Sequence, residues 1–217
     1  MTVATVLDDH RAVKIDGTTC IIILVVSRPY QLKQRADRQH ETRQRIIEAT
    51  IELHQTIGPA ATTITEIAER AGVARVTVYR HFPDEESLFV ACSAHWRERN
   101  PRPDLAGWAA VRDPDARLEL ALRELYAWYG RTEQMIGLLT RDAALVPSMR
   151  VQFQAFLAYF EAAADTLLRG RLERGAARRR VRAALGHAVA FETWRSLVRR
   201  HGLTDAEAIG LVRAMVG

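Results

Sequence analysis

The chain has 217 residues, room for one small unit and one larger domain with its own core. Its 31 basic against 26 acidic residues leave a formal charge of +5, and the pI is near 9.7, which suits a polyanionic partner without identifying one. All the basic residues except Lys14 and Lys33 are arginine, so a compositional bias explains part of that basicity equally well, while Cys20 and Cys92 are too few for a disulfide framework or a cysteine metal cluster and fit a reducing cytoplasm.

Residues 1–39 read as an N-terminal extension without stable structure. The run Cys20 to Val26 is the most apolar in the chain but far shorter than the roughly 20 residues of a spanning helix. Its acidic neighbours Asp8, Asp9 and Asp16 do not suit a secretory leader. Its β-branched content suits a strand, for which no obvious partner strand is expected. Arg28, Lys33, Arg35 and Arg38 then form a loose basic stretch, read as a solvated tail, with an arm into a minor groove as the alternative.

From His40 the pattern is helical. Ile46, Ala49, Leu53 and Ile57 recur at helical spacing, so a first helix is expected from about Glu41 to Thr56, stopped by Gly58-Pro59. Thr63 and Glu66 have capping-box spacing, which starts a second helix near Ile64 with Ile64, Ile67, Ala68 and Ala71 on its apolar face. Gly72 falls where the chain must turn, since a residue without Cβ takes positive φ at no steric cost. Val76, Val78, Tyr79 and Phe82 give a third short helix an apolar side, and the small Ala68 lets the two helices cross closely. Arg75, Thr77, Arg80 and His81 line the other side with no acid among them, a mixture suited to phosphates and base edges. The combination reads as a DNA-binding helix-turn-helix.

Pro83 and the cap Asp84 open a connector helix through Leu88, Phe89, Cys92 and Trp96, ending at Asn100-Pro101-Arg102-Pro103. Asp113-Pro114 begins a helix through Leu118, Leu122, Leu125 and Trp128, with a shorter one carrying Met135, Leu138 and Leu139 before Pro147. An aromatic stripe, Phe153, Phe156 and Phe160, marks a helix from about Ser148 to Leu172. The last pair is expected at Arg178 to His201 and Thr204 to Val216, antiparallel across Gly202-Leu203.

The stretch AGVARVTVYRHFPDEESLF, with its Tyr-x-His-Phe ending, resembles the helix-turn-helix of the TetR/AcrR family of bacterial transcriptional regulators. The resemblance covers about His40 to Asn100 by motif, and the rest only by length and helical pattern. It implies an all-α fold, with a three-helix DNA-binding domain at 40–100 and a helical effector-binding and dimerisation domain at 101–217. It also implies phosphate contacts from Thr63 and Thr65, and a recognition helix presenting Arg75, Val76, Thr77, Tyr79, Arg80 and His81. Two departures stand out. Ala74 replaces the family's frequent Ser cap, and Glu85 replaces a frequent Lys.

The apolar faces of the last helix pair, about 178–216, exceed what one small domain buries, and pairing into a homodimer resembles the family's habit. The partners expected are a double-stranded, palindromic DNA operator, a second copy of the chain and a small-molecule effector, with no membrane, metal or cofactor. Trp108, Tyr126, Trp128, Phe156, Tyr159 and Phe160, with His187 and Glu192, are the expected pocket residues, and ordinary core packing is the competing reading for each. The arginine run from Arg169 to Arg182 reads as a solvated surface. No G-x-S-x-G, H-E-x-x-H, Walker or dinucleotide fingerprint is present, so an enzyme is disfavoured. A ligand-responsive repressor, cytoplasmic and nucleoid-associated, is the expected function. An architectural DNA-binding protein without an effector, or a helical small-molecule-binding protein or enzyme, is the alternative.

Overall fold

The structure, a computed structural model, describes residues 11–16, 19–24 and 28–216, with side chains from residue 32 onward. The chain divides into two compact units, Met1–Ile46 and Ile47–Gly217. In the first, β1 (Arg11–Asp16) pairs antiparallel with β2 (Thr19–Leu24), with Lys14 opposite Ile21 and Asp16 opposite Thr19. The apolar run therefore has the partner strand that the sequence reading did not find, although its last two residues, Val25 and Val26, lie outside the described residues. The stretch expected to be loose is helical as well. α1 spans Arg28–Thr56 and begins well before Glu41.

The second unit holds the end of α1 and the remaining helices. The Gly58-Pro59 stop becomes a single 3-10 turn, Pro59–Ala61. Then follow α2 (Ile64–Ala71), α3 (Arg75–His81), α4 (Glu85–Arg99) and a short α5 (Leu105–Ala110). α5 had not been anticipated. It is capped by Asp104, whose carboxylate accepts from Ala106 N at 2.9 Å and Gly107 N at 3.3 Å.

α6 (Pro114–Asp142) is one helix where two were expected. Gly130 and Gly137 cost it helix propensity. Tyr129, Met135 and Ile136, buried on either side of them, carry it through. α7 (Arg150–Leu168) follows a 3-10 turn at Pro147–Met149. The expected helix Arg178 to His201 is broken into α8 (Gly175–Ala188) and α9 (Phe191–Arg195), the latter continuing in a π turn over Ser196–Arg200, and α10 (Asp205–Val216) completes the chain. The break has a chemical cause. Tyr126 Oη donates to the Ala188 carbonyl at 3.1 Å, Tyr129 Oη to Val189 at 2.5 Å and Thr193 Oγ1 to His187 at 2.6 Å, so side chains take carbonyls that helix amides would otherwise have taken.

The core joins α6, α7, α8, α9 and α10 around Tyr129, whose ring lies 5.3 Å from Phe191, 5.7 Å from Trp194 and 6.2 Å from Phe160. Arg117 is buried within this unit with no carboxylate partner among the described residues. Its guanidinium donates to the carbonyls of Val111, Arg112, Thr166 and Arg169, so one cation closes the ends of α5 and α7, where helix dipoles favour positive charge. Among the described residues no helix is long and apolar enough to cross a membrane.

Candidate nucleic-acid interface

The reading unit is built by local chemistry. Thr63 N donates to Glu66 Oε2 at 2.8 Å and Glu66 N donates to Thr63 Oγ1 at 3.2 Å, the reciprocal capping box that starts α2. Gly72, at φ 65°, ends the helix in the left-handed region, and Val73 N returns to Ala68 O at 2.9 Å. Ile67, Ala68 and Ala71 of α2 are buried with Val78 and Phe82 from α3 and its end. Ala68, the small residue expected to let the helices approach, is 2% exposed.

α3 has no side-chain cap. Ala74 offers the Thr77 amide only its carbonyl, at 2.8 Å. Arg75, Val76, Tyr79 and Arg80 are exposed, as are Thr63 and Thr65 at the start of α2, while Thr77 and His81 are half-buried. Val76 and Tyr79 are not part of the packed side that the sequence reading gave them. At 73% and 46% exposure they stand on the outer face between the arginines. Two guanidiniums, a phenol and an isopropyl group without a carboxylate can meet phosphates, base edges and a thymine methyl. Glu85 lies outside this face, and its Oε2 accepts from Ser148 Oγ at 3.3 Å.

This unit is gripped from behind. At the end of α6, Asp142 is 1% exposed and accepts from Ala60 N at 3.0 Å, while Arg141 donates to the Ile57 carbonyl at 2.9 Å and to Asp142 Oδ1 at 2.6 Å. The Arg141 hydrogen bond, then the Ala60 amide, holds the Asp142 carboxyl below its ordinary value against the cost of burial. The turn being held contains Gly58 at φ 93°, where a Cβ would lie 2.5 Å from Asp142 Oδ2. Only glycine fits there. Sequence reasoning saw Gly58 as a helix stop and missed Asp142, for which a buried acid beside an arginine leaves no local signal.

A cleft opens between α4, α6, α7 and the end of α1. It is lined by Phe89, Cys92, Trp96 and Arg97 of α4, Met135 and Leu139 of α6, and Gln152, Phe153 and Phe156 of α7, with Ile51, His54, Arg102 and Met149 completing the wall. Of the expected pocket residues Phe156 alone borders it. Trp108, Tyr126 and Trp128 are core, their polar atoms spent on Glu124 at 2.7 Å, Ala188 O at 3.1 Å and Asn100 O at 3.2 Å. Tyr159 donates to Pro103 O at 2.8 Å, and Phe160 packs on Tyr129. His187 and Glu192 are exposed, Glu192 facing Arg195 at 3.6 Å. The α4 positions that do line the cleft have ordinary core spacing, so the sequence did not mark them. His54 stacks on Phe89 at 4.9 Å, and burial, opposed by Asp142, lowers its pKa to about 4. Burial raises the Cys92 thiol to about 12. Both groups are neutral at pH 7.

Residues 46–92 match the family model of the bacterial regulatory proteins of the tetR family. The chain carries a TetR-family regulatory domain. The transcriptional regulator SrpR of Pseudomonas putida is 38% identical over 85 residues, 36% of this chain and 40% of SrpR. The repressor KstR of Rhodococcus jostii is 32% identical over 112 residues, 49% of each chain. The chain thus spans half or less of the length of these two relatives. A TetR-like transcriptional regulator from Rhodococcus sp. RHA1 superposes with a TM-score of 0.59 at 18% identity, covering 81% of this chain and 93% of that one, which extends the shared helical fold well beyond the TetR-type domain. Among the described residues no cluster of three or more His, Cys, Asp or Glu is placed to hold a metal.

Proposed function

We propose that this protein is a sequence-specific transcriptional regulator, a homodimeric repressor released from a palindromic DNA operator by a small molecule. The observation that carries the reading is the outer face of α3, where Arg75, Val76, Tyr79 and Arg80 project without an acidic neighbour from a helix fixed by the Thr63 capping box and the Gly72 turn. Thr63 and Thr65 add phosphate contacts, and Thr77 and His81 support the edge of the same face. One short helix reads too few base pairs to select a site in a genome, so two copies act together with half-sites about one DNA turn apart. The last helices, about 178–216, are the dimerisation surface. On α10 Leu211 and Met215 stay 44% and 62% exposed beside buried Ile209 and Val212.

The effector enters the cleft beside α4 and shifts α4 with α6. That movement reaches the reading unit through the grip of Arg141 and Asp142 on the turn before α2. The effector must bind the DNA-competent and released arrangements differently, since equal affinity shifts nothing. The protein works on the nucleoid in the cytoplasm and catalyses no reaction.

A gel-shift titration against DNA from upstream of its own gene, at fixed salt with excess unrelated competitor, tests the reading. A discrete band surviving competition is expected. Binding lost equally to any DNA would replace it with an architectural role, and no binding would remove the DNA-binding function.

A further inference from the structure

The cleft beside α4 has a one-sided chemistry. The cavity itself is small, about 60 Å³, within a wider opening of about 590 Å³ that is continuous with solvent. The space is therefore narrow, and a thin body enters it more readily than a globular one. Its wall is mostly apolar, His54, Ser93 and Gln152 are neutral polar members, the only charges on it are those of Arg97 and Arg102, and no acidic side chain lines it among the described residues.

Neither guanidinium belongs to an ion pair among the described residues. Arg97 has a single long hydrogen bond to Gln152 Oε1 at 3.4 Å, and Arg102 lies over the rings of Tyr159 at 5.0 Å and Phe156 at 5.4 Å. Burial first, and the Arg97 charge second, disfavour the charged form of Arg102. Two half-buried like charges without a counter-ion are an unfavourable arrangement that an anion relieves. A second, independent feature points the same way. Trp96, on the same wall and 8% exposed, buries its Nε1 donor with no acceptor. A buried N–H in this state costs about 1–3 kcal/mol until an acceptor arrives. His54 and Cys92, the other titratable groups facing the cleft, are neutral and do not compensate the arginines.

We propose that this cleft binds a slender amphiphile with one anionic head, an apolar chain or flat ring bearing a carboxylate, whose oxygens accept from Arg97, Arg102 and Trp96. The apolar body lies along Phe89, Met135, Leu139 and Phe153. The regulatory consequence rests on the function proposed above, whereas the binding does not.

The full chain is titrated with sodium decanoate and decyltrimethylammonium bromide below their micellar concentrations, and with decanol below its solubility limit. Heat is read by calorimetry, and Trp96 supplies the fluorescence change because the other three tryptophans are sealed in the core. Decanoate binds saturably, decanol at least about tenfold more weakly and the cation not at all. Arg102→Met and Arg97→Met each weaken decanoate by about tenfold, the scale of a lost charged hydrogen bond, and leave decanol unchanged. Decanol binding as tightly as decanoate, no binding of any probe, or undiminished decanoate binding in the double variant overturns the proposal. The comparison of head groups on the unaltered chain decides the matter even where a variant fails to fold. The same probes are added to the gel shift with upstream DNA. Release by decanol or the cation, but not by decanoate, keeps the effector reading and sinks the anionic ligand. Decanoate binding without release keeps the site and removes its regulatory role.

Discussion

At the scale of single residues, α3 separates into groups that stand out in solvent, proposed to meet DNA, and groups that hold the helix. Tyr79 and Arg80 are exposed, whereas Val78 and Phe82 are buried. Tyr79→Ala and Arg80→Ala are therefore expected to leave the melting temperature within about 1 °C while weakening operator binding about tenfold, since surface substitutions away from packing are nearly neutral and one good base contact is worth 1–3 kcal/mol. Parallel melting curves and gel shifts check this. A large loss of stability would place these side chains in the core. His54 makes a different prediction. Its pKa falls from 6.5 to about 4 on folding, so between those values the unfolded chain holds more protons and acid favours unfolding. Stability is at its full value above pH 6.5 and declines by at most about 3 kcal/mol as the pH falls towards 4. Urea midpoints across that range should show the decline, and His54→Leu should flatten it. The outward placing of Arg75 and Arg80 was legible because an arginine on a short helix with an opposite apolar side is seldom buried. The cleft residues were not, because Phe89, Cys92 and Trp96 at helical spacing look the same whether they face a neighbour or a void.

At the scale of elements, the sequence was most informative where ends are set locally. Thr63 with Glu66, Gly72, Asp84 and Asp113 each mark a boundary found within a residue of its expected place. It was least informative where distant groups decide. The carbonyls that break α8 from α9 are claimed by tyrosines about sixty positions earlier in the chain. The first strand offered no strong alternation to read, and the clue that was present, Asp16-Gly17 ahead of an apolar run, is a hairpin signal. α3 is the element with a correctable defect. Because Ala74 supplies no cap, Ala74→Ser should let a hydroxyl accept from the Thr77 amide and add about 1 kcal/mol. For a chain of this size that raises the melting temperature by roughly 2–4 °C. An unchanged or lowered melting temperature would mean that the bond from Thr77 N to the Ala74 carbonyl already does what a side-chain cap would do.

At the scale of the whole molecule, the cleft and the reading face are joined mechanically within the unit from Ile47 onward. α6 contributes Met135 and Leu139 to the cleft wall and ends at Asp142, whose carboxylate holds the Ala60 amide just ahead of α2. Asp142→Ala should leave the cleft able to bind decanoate but bring the DNA affinities with and without decanoate together. It should also speed hydrogen exchange at the Ala60 amide. Retention of the full difference in DNA affinity would show that the signal travels by another route.

Under the proposed function, that short carboxylate link carries influence in both directions. Whatever factor the ligand takes from DNA affinity, DNA must take from ligand affinity. On that reading each occupied operator withholds a pair of chains from the ligand, so the dose needed for release rises with the number of operator copies. A strain carrying the target promoter on a multicopy plasmid would respond later than one with a single chromosomal site, although no residue of the protein had changed.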